Sequence, residues 1–114
     1  EIYPAEHQYI HDNAITVLTC TDIEKDIYTV ISRIKSLGNG RLYLHIDLDV
    51  LDPAEFPYIP VPVGDGLKNK VFDTLISELH RNFAIVGLGI FEYNGTAHHK
   101  NRIIEKLISI GSQL

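Results

Sequence analysis

Apolar residues fall into two kinds of pattern along this chain. In the first, Ile23, Ile27, Val30, Ile31, Ile34 and Leu37 recur at three- and four-residue spacing, as do Val71, Leu75, Ile76 and Leu79, and then Ile103, Ile104, Leu107 and Ile108. Each set forms one face of a helix. The spacing predicts helices from Thr21 or Asp22 to Leu37, from Lys68 to Asn82 and from Ala97 to Ile110. In the second, short runs rich in β-branched and apolar residues predict strands: Ala14–Cys20 (AITVLTC), Arg41–Val50 (RLYLHIDLDV) and Phe83–Phe91 (FAIVGLGIF). The last run is almost wholly apolar, which suits a strand covered on both faces. Glu1–Asp12 shows no clear period, and residues 1–13 read as a lead-in segment. Gly38-Asn39-Gly40 ends the first helix. The segment from Pro53 to Gly66, with four prolines and two glycines, is a loop.

The resulting βαβαβα order implies an α/β fold in one domain of 114 residues, a three-layer α/β/α arrangement around a parallel sheet with helical crossovers. Three strands make a thin sheet with exposed edges. The chain contains no methionine and begins at Glu1. This hints at a piece of something longer, and the exposed edges at a fragment or a tight oligomer.

Charge and cysteine content narrow the classes. A net charge of -5 without a basic run disfavours nucleic acid or an anionic membrane as partner. The lone Cys20 allows no internal disulfide, fits a small buried apolar role at a strand end, and agrees with a reducing cytoplasm. No signal peptide or membrane-length apolar run is present.

Candidate chemistry concentrates in His45-Ile46-Asp47-Leu48-Asp49-Val50-Leu51-Asp52-Pro53. On a continuous strand, His45, Asp47 and Asp49 share one face, and the two carboxylates stand about 7 Å apart at its carboxyl end. Open α/β sheets bind ligands at that end. Carboxylates so placed repel unless a cation or a shared proton joins them, and oxygen donors suit Mn²⁺ or Mg²⁺. Asp52 suits a turn hydrogen bond ahead of Pro53. Spacing alone equally allows all three aspartates merely to cap a strand end.

The run resembles the signature of the arginase, or ureohydrolase, family, in which a strand ends Ser-x-Asp-x-Asp-x-x-Asp-Pro and a Gly/Pro-rich loop ends Gly-Gly-Leu. Pro57, Pro62, Gly66 and Leu67 fall at matching loop positions. Gly87-Leu88-Gly89-Ile90-Phe91-Glu92 is similar to the family's later Gly-Phe-Asp-x-x-Glu strand. The resemblance covers Ile15 to the end and implies the C-terminal part of an arginase-like fold. It further implies a binuclear manganese site, with Asp47 and Asp49 as metal ligands. Glu92 would meet the cationic end of a guanidino or formimino substrate whose C–N bond is hydrolysed, commonly in a homo-oligomer.

Several positions depart from the family pattern. The family's upstream histidine motifs, Gly-Gly-Asp-His and Asp-Ala-His-x-Asp, do not occur, so the site in this chain is expected to be incomplete and to depend on a missing N-terminal portion. His45 stands for serine and is expected to hydrogen-bond a ligand rather than to be one, with Asp52 in a similar supporting place. Gly89 stands for aspartate, and Tyr58-Ile59-Pro60 for Gly-Thr-Gly. His7, His11, His80, His98 and His99 read as structural or surface residues. The alternative is a degenerate, non-catalytic module that keeps the fold for assembly or binding. A haloacid-dehalogenase-type phosphatase shares the Asp-x-Asp start, but Leu51 and Pro53 do not fit it.

Overall fold

The computed structural model describes residues 2–96 and 101–114. Among the described residues, five helices and two strands follow in the order α1 (Pro4–Asp12), α2 (Cys20–Lys25), α3 (Ile27–Leu37), β1 (Arg41–Asp47), α4 (Asn69–Asn82), β2 (Ala84–Phe91) and α5 (Arg102–Gly111). A 3-10 turn, Leu48–Val50, continues directly from β1. The strands pair in parallel, from Arg41 opposite Ala84 to Asp47 opposite Phe91, with a bulge that leaves Val86 unpaired. The α/β class and the parallel βαβ unit therefore agree with the hydrophobic pattern.

The core lies on one face of this sheet. Ile46, Leu48 and Leu51 pack with Ile31 of α3, Phe72, Ile76 and Leu79 of α4, and Ile103, Leu107 and Ile110 of α5. Leu42, Leu44, Leu88 and Ile90 extend the same cluster. Burying these side chains supplies the main driving force, at about 25 cal/mol per Å² of apolar surface. Lys106 ties α5 to α4, its ammonium donating to Asp73 Oδ1 at 2.7 Å and to Ser77 Oγ. On the other face Tyr43 and Phe91 are exposed. The apolar run of β2 is thus covered on one side among the described residues, not on both.

Several predicted elements are corrected. Ala14–Cys20 forms no strand: Thr19 starts a helix within it, its hydroxyl accepting from the Asp22 N–H while Asp22 accepts from the Thr19 N–H. β-branched residues favour strands only where a neighbour completes the ladder. The parallel sheet accordingly has two strands among the described residues. The helix expected up to Leu37 is broken at Asp26, which adopts an extended conformation and caps α3 by accepting from the N–H groups of Tyr28 and Thr29. Leu37 is exposed. The lead-in holds α1, favoured by Pro4 in its first turn and by Glu6 accepting from the Tyr3 N–H. The last helix begins at Arg102 because Asn101 is non-helical and caps it. His98 and His99 lie outside the described residues. No described helix is long and apolar enough to cross a membrane.

The loop after β1 returns to the strand end. Leu51 bridges Leu67, with the Asp52 N–H donating to Leu67 O and the Leu67 N–H to Val50 O. Gly66 makes this closure possible, since a Cβ there would stand 2.5 Å from the Leu51 carbonyl carbon and 2.6 Å from the Asp52 nitrogen. Backbone cannot yield as a side chain does. Gly66→Ala is expected to cost about 1–3 kcal/mol, measured by urea denaturation. A variant as stable as the parent would show that the loop closes otherwise.

Candidate functional site

The carboxyl edge of the sheet gathers most of the candidate residues. β1 ends at Asp47, and Asp49 sits in the following 3-10 turn, not on the strand. The predicted strand to Val50 is therefore three residues too long, and alternation along a strand does not set the direction of Asp49. The strand stops because Leu48 and Leu51, both fully buried, turn the backbone into the core. Asp47 is half exposed, Asp49 partly buried. Parallel register places Asp47 beside Phe91, so Glu92 lies one residue past the end of the neighbouring strand. Glu92 is exposed and has φ 57°, a left-handed conformation uncommon outside glycine. His45 stands two residues before Asp47 on the same exposed face, its Nε2 3.3 Å from Asp47 Oδ1.

Asp52 is buried, at 9% exposure, and holds the loop. Its Oδ1 accepts from the Ala54 N–H at 2.9 Å, and its Oδ2 forms an ion pair with Lys68. Glu55, one turn on, accepts from the Asn69 N–H at the start of α4. Lys68 was not singled out from the sequence. It lies 16 residues from Asp52, and only the Leu51–Leu67 bridge brings it near. A basic residue directly after the loop-ending Gly66-Leu67 was the available signal.

The ion pair has a pH signature. The Lys68 ammonium, and then the Ala54 N–H, hold the Asp52 carboxyl below its ordinary 3.8. Asp52 in turn raises Lys68 above 10.5. A lowered acid stabilises the fold above its unfolded value, and this contribution disappears as pH falls below 3.8 through the depressed value. At the other limit the raised base contributes below 10.5, and the contribution is lost as pH rises through the elevated value. Thermal midpoints are expected to stay level through neutrality and to fall at both extremes. Asp52→Asn should lower the plateau and flatten the acid limb. An acid limb of unchanged steepness in that variant would dissociate Asp52 from it.

Inside the loop, Phe56 is fully buried and Ile59 nearly so. The Phe56 ring meets Tyr58 edge-on at 5.2 Å, and the Asn94 N–H donates to Tyr58 O, tying the segment after β2 to the loop. The stretch Tyr58-Ile59-Pro60 therefore serves as an apolar anchor. A cavity of about 350 Å³ is lined by Asp47 and His45 together with Ile23, Leu44, Val50, Phe72 and Leu75. The rest of its lining is apolar, so Asp47 and His45 are its polar members. His7 and His11 are exposed, as expected of surface residues; His80, expected to be structural near its helix end, is exposed as well, and Cys20, expected buried at a strand end, packs half-buried at the first position of α2.

Among the described residues, no three histidine, cysteine, aspartate or glutamate side chains converge closely enough to hold a metal ion. Asp47 and Asp49, with His45 alongside, thus do not fit a binuclear centre by themselves. Stable sites use three or four protein ligands.

Similarity to known proteins places this geometry in context. The profile described as the Arginase family matches residues 1–109. The chain is 29% identical over 110 residues to an arginase of Staphylococcus aureus, covering 92% of this chain and 36% of that protein. It is 33% identical over 87 residues to an agmatinase of Edwardsiella ictaluri, covering 75% of this chain and 28% of that one. In fold it matches the crystal structure of Entamoeba histolytica arginase in complex with L-ornithine, with a TM-score of 0.80 at 23% identity, over 100% of this chain and 41% of that one. The chain thus spans roughly a third of the length of these relatives.

Proposed function

Because this chain belongs to the arginase family, we propose that it supplies the C-terminal share of a hydrolytic site acting on the C–N bond of a linear guanidino or formimino compound. The observation that carries the reading is the shared carboxyl edge: Asp47 ends β1, Asp49 follows in the turn, and Glu92 lies one residue past the partner strand. In this reading Asp47 and Asp49 contribute two carboxylates to a manganese pair whose other ligands come from protein beyond these 114 residues. When bound, the metal pair would supply an activated hydroxide at neutral pH. Glu92 pairs with the planar cation of the substrate, a geometry in which carboxylates bind well. Asp52, through Lys68 and Ala54, holds the turn that carries Asp49. Family relatives named arginase and agmatinase support the substrate class without selecting a member of it.

The 114-residue chain with added Mn²⁺ is expected to release no urea from arginine or agmatine. Urea release above the buffer blank by the isolated chain would contradict the division of the site. The second reading, a non-catalytic module kept for assembly, draws on Gly89 and the apolar anchor Tyr58-Ile59-Pro60. Histidine ligand motifs in the reading frame upstream of Glu1 would decide for the hydrolase.

A further inference from the structure

The exposed face of the sheet carries an arrangement that the proposed reaction does not by itself require. His45 and Phe91 stack with ring centroids 4.3 Å apart and planes 14° from parallel. In register, His45 lies opposite Gly89 and Asp47 opposite Phe91, so the stack crosses the strand pair diagonally. Gly89 leaves the space for it. A Cβ there would stand 2.6 Å from Phe91 Cε2, 3.2 Å from Phe91 Cζ and 3.0 Å from the Tyr43 hydroxyl. The Phe91 ring therefore lies over the backbone of Gly89, where a side chain on residue 89 would begin, and reaches across to His45. The far end of His45 is Nε2, 3.3 Å from Asp47 Oδ1.

We infer that His45 is a positioning residue for Asp47, held in its orientation by Phe91, and that Phe91 can do so because residue 89 has no side chain. A solvent-facing imidazole on a strand has several rotamers available. Stacking selects one, and that one directs Nε2 toward a particular oxygen of the Asp47 carboxylate. Gly89, Phe91 and His45 then form a single unit, in which changing any one member frees the carboxylate. The consequence for a cation site rests on the function proposed above, whereas the packing does not.

The test uses the isotopically labelled 114-residue chain in solution at one fixed pH. In the parent, ring current from Phe91 should shift the His45 ring protons upfield, and the Asp47 Hα–Hβ couplings should report one dominant rotamer. Phe91→Leu and Gly89→Ala should abolish the upfield shift and average the couplings, His45→Ala should average the couplings alone, and Phe91→Tyr should preserve both. Unshifted His45 protons in the parent, or Asp47 couplings unchanged by Phe91→Leu and His45→Ala, would overturn the inference. Were Gly89→Ala to unfold the chain, the contrast between leucine and tyrosine at position 91 still decides.

Discussion

Replacing Phe56 with alanine is expected to cost about 3–5 kcal/mol of folding stability. The side chain is fully buried, lies within the core cluster and packs against Tyr58 and Tyr93. Its own N–H donates to Asp52 O at 2.9 Å, so the residue that fills the core also fixes the turn. Domains of this size are stable by only about 5–15 kcal/mol. Losing so large a share should bring the urea midpoint down sharply and free the Pro53–Gly66 loop to early proteolysis. Phe56→Leu, which keeps most of the volume, should lose much less. A cost for Phe56→Ala under about 1 kcal/mol would mean that the loop is anchored elsewhere.

Asp49→Asn and Asp47→Asn should act in the opposite manner, severe for chemistry and mild for the fold. In a polypeptide carrying the complete site proposed above, each is expected to reduce kcat/KM by more than about 100-fold, beyond the 10–100-fold typical of groups that merely support a metal ligand. Manganese content should fall in parallel. Neither carboxylate is part of the core cluster, so the thermal midpoint of the 114-residue chain should barely move. Asp52→Asn provides the contrast, because its carboxylate is spent on Lys68 and Ala54 and its loss should appear first in stability. Full activity in Asp47→Asn and Asp49→Asn would remove the proposed role of the carboxyl edge.

The contrast between these residues marks where sequence was informative. The Asp-x-Asp-x-x-Asp-Pro run, the loop ending Gly66-Leu67 and the Gly87–Glu92 run were visible as spacings, and their order along the chain pointed to the family that the comparison bears out. The helical stripes of α4 and α5 were visible for the same reason, although Phe72 on α4 and Ile110 on α5 took buried places that the periodic count had not assigned to them, while Ile108, counted in the α5 stripe, is exposed. Lys68 as the partner of Asp52, and Phe91 as the partner of His45, were not visible. Each pair is separated by many residues, and neither has a periodic signature.

What the sequence determined by itself was local: which segments coil or extend, which face of each helix is apolar, and which acidic residues cluster at a strand end. These follow from periods of 3.6 and 2 that side-chain geometry imposes on the backbone. Tertiary structure decided the rest. Ala14–Cys20 lost its strand because a strand needs a neighbour to bond, and a capping box at Thr19 satisfied the backbone instead. β1 ended at Asp47 because burying Leu48 and Leu51 required a turn. The supports of Asp47 and Asp52 came from residues that meet only when β1 and β2 pair in register and the loop closes on Gly66. Such contacts depend on the packing of the whole chain, which no short window of sequence contains.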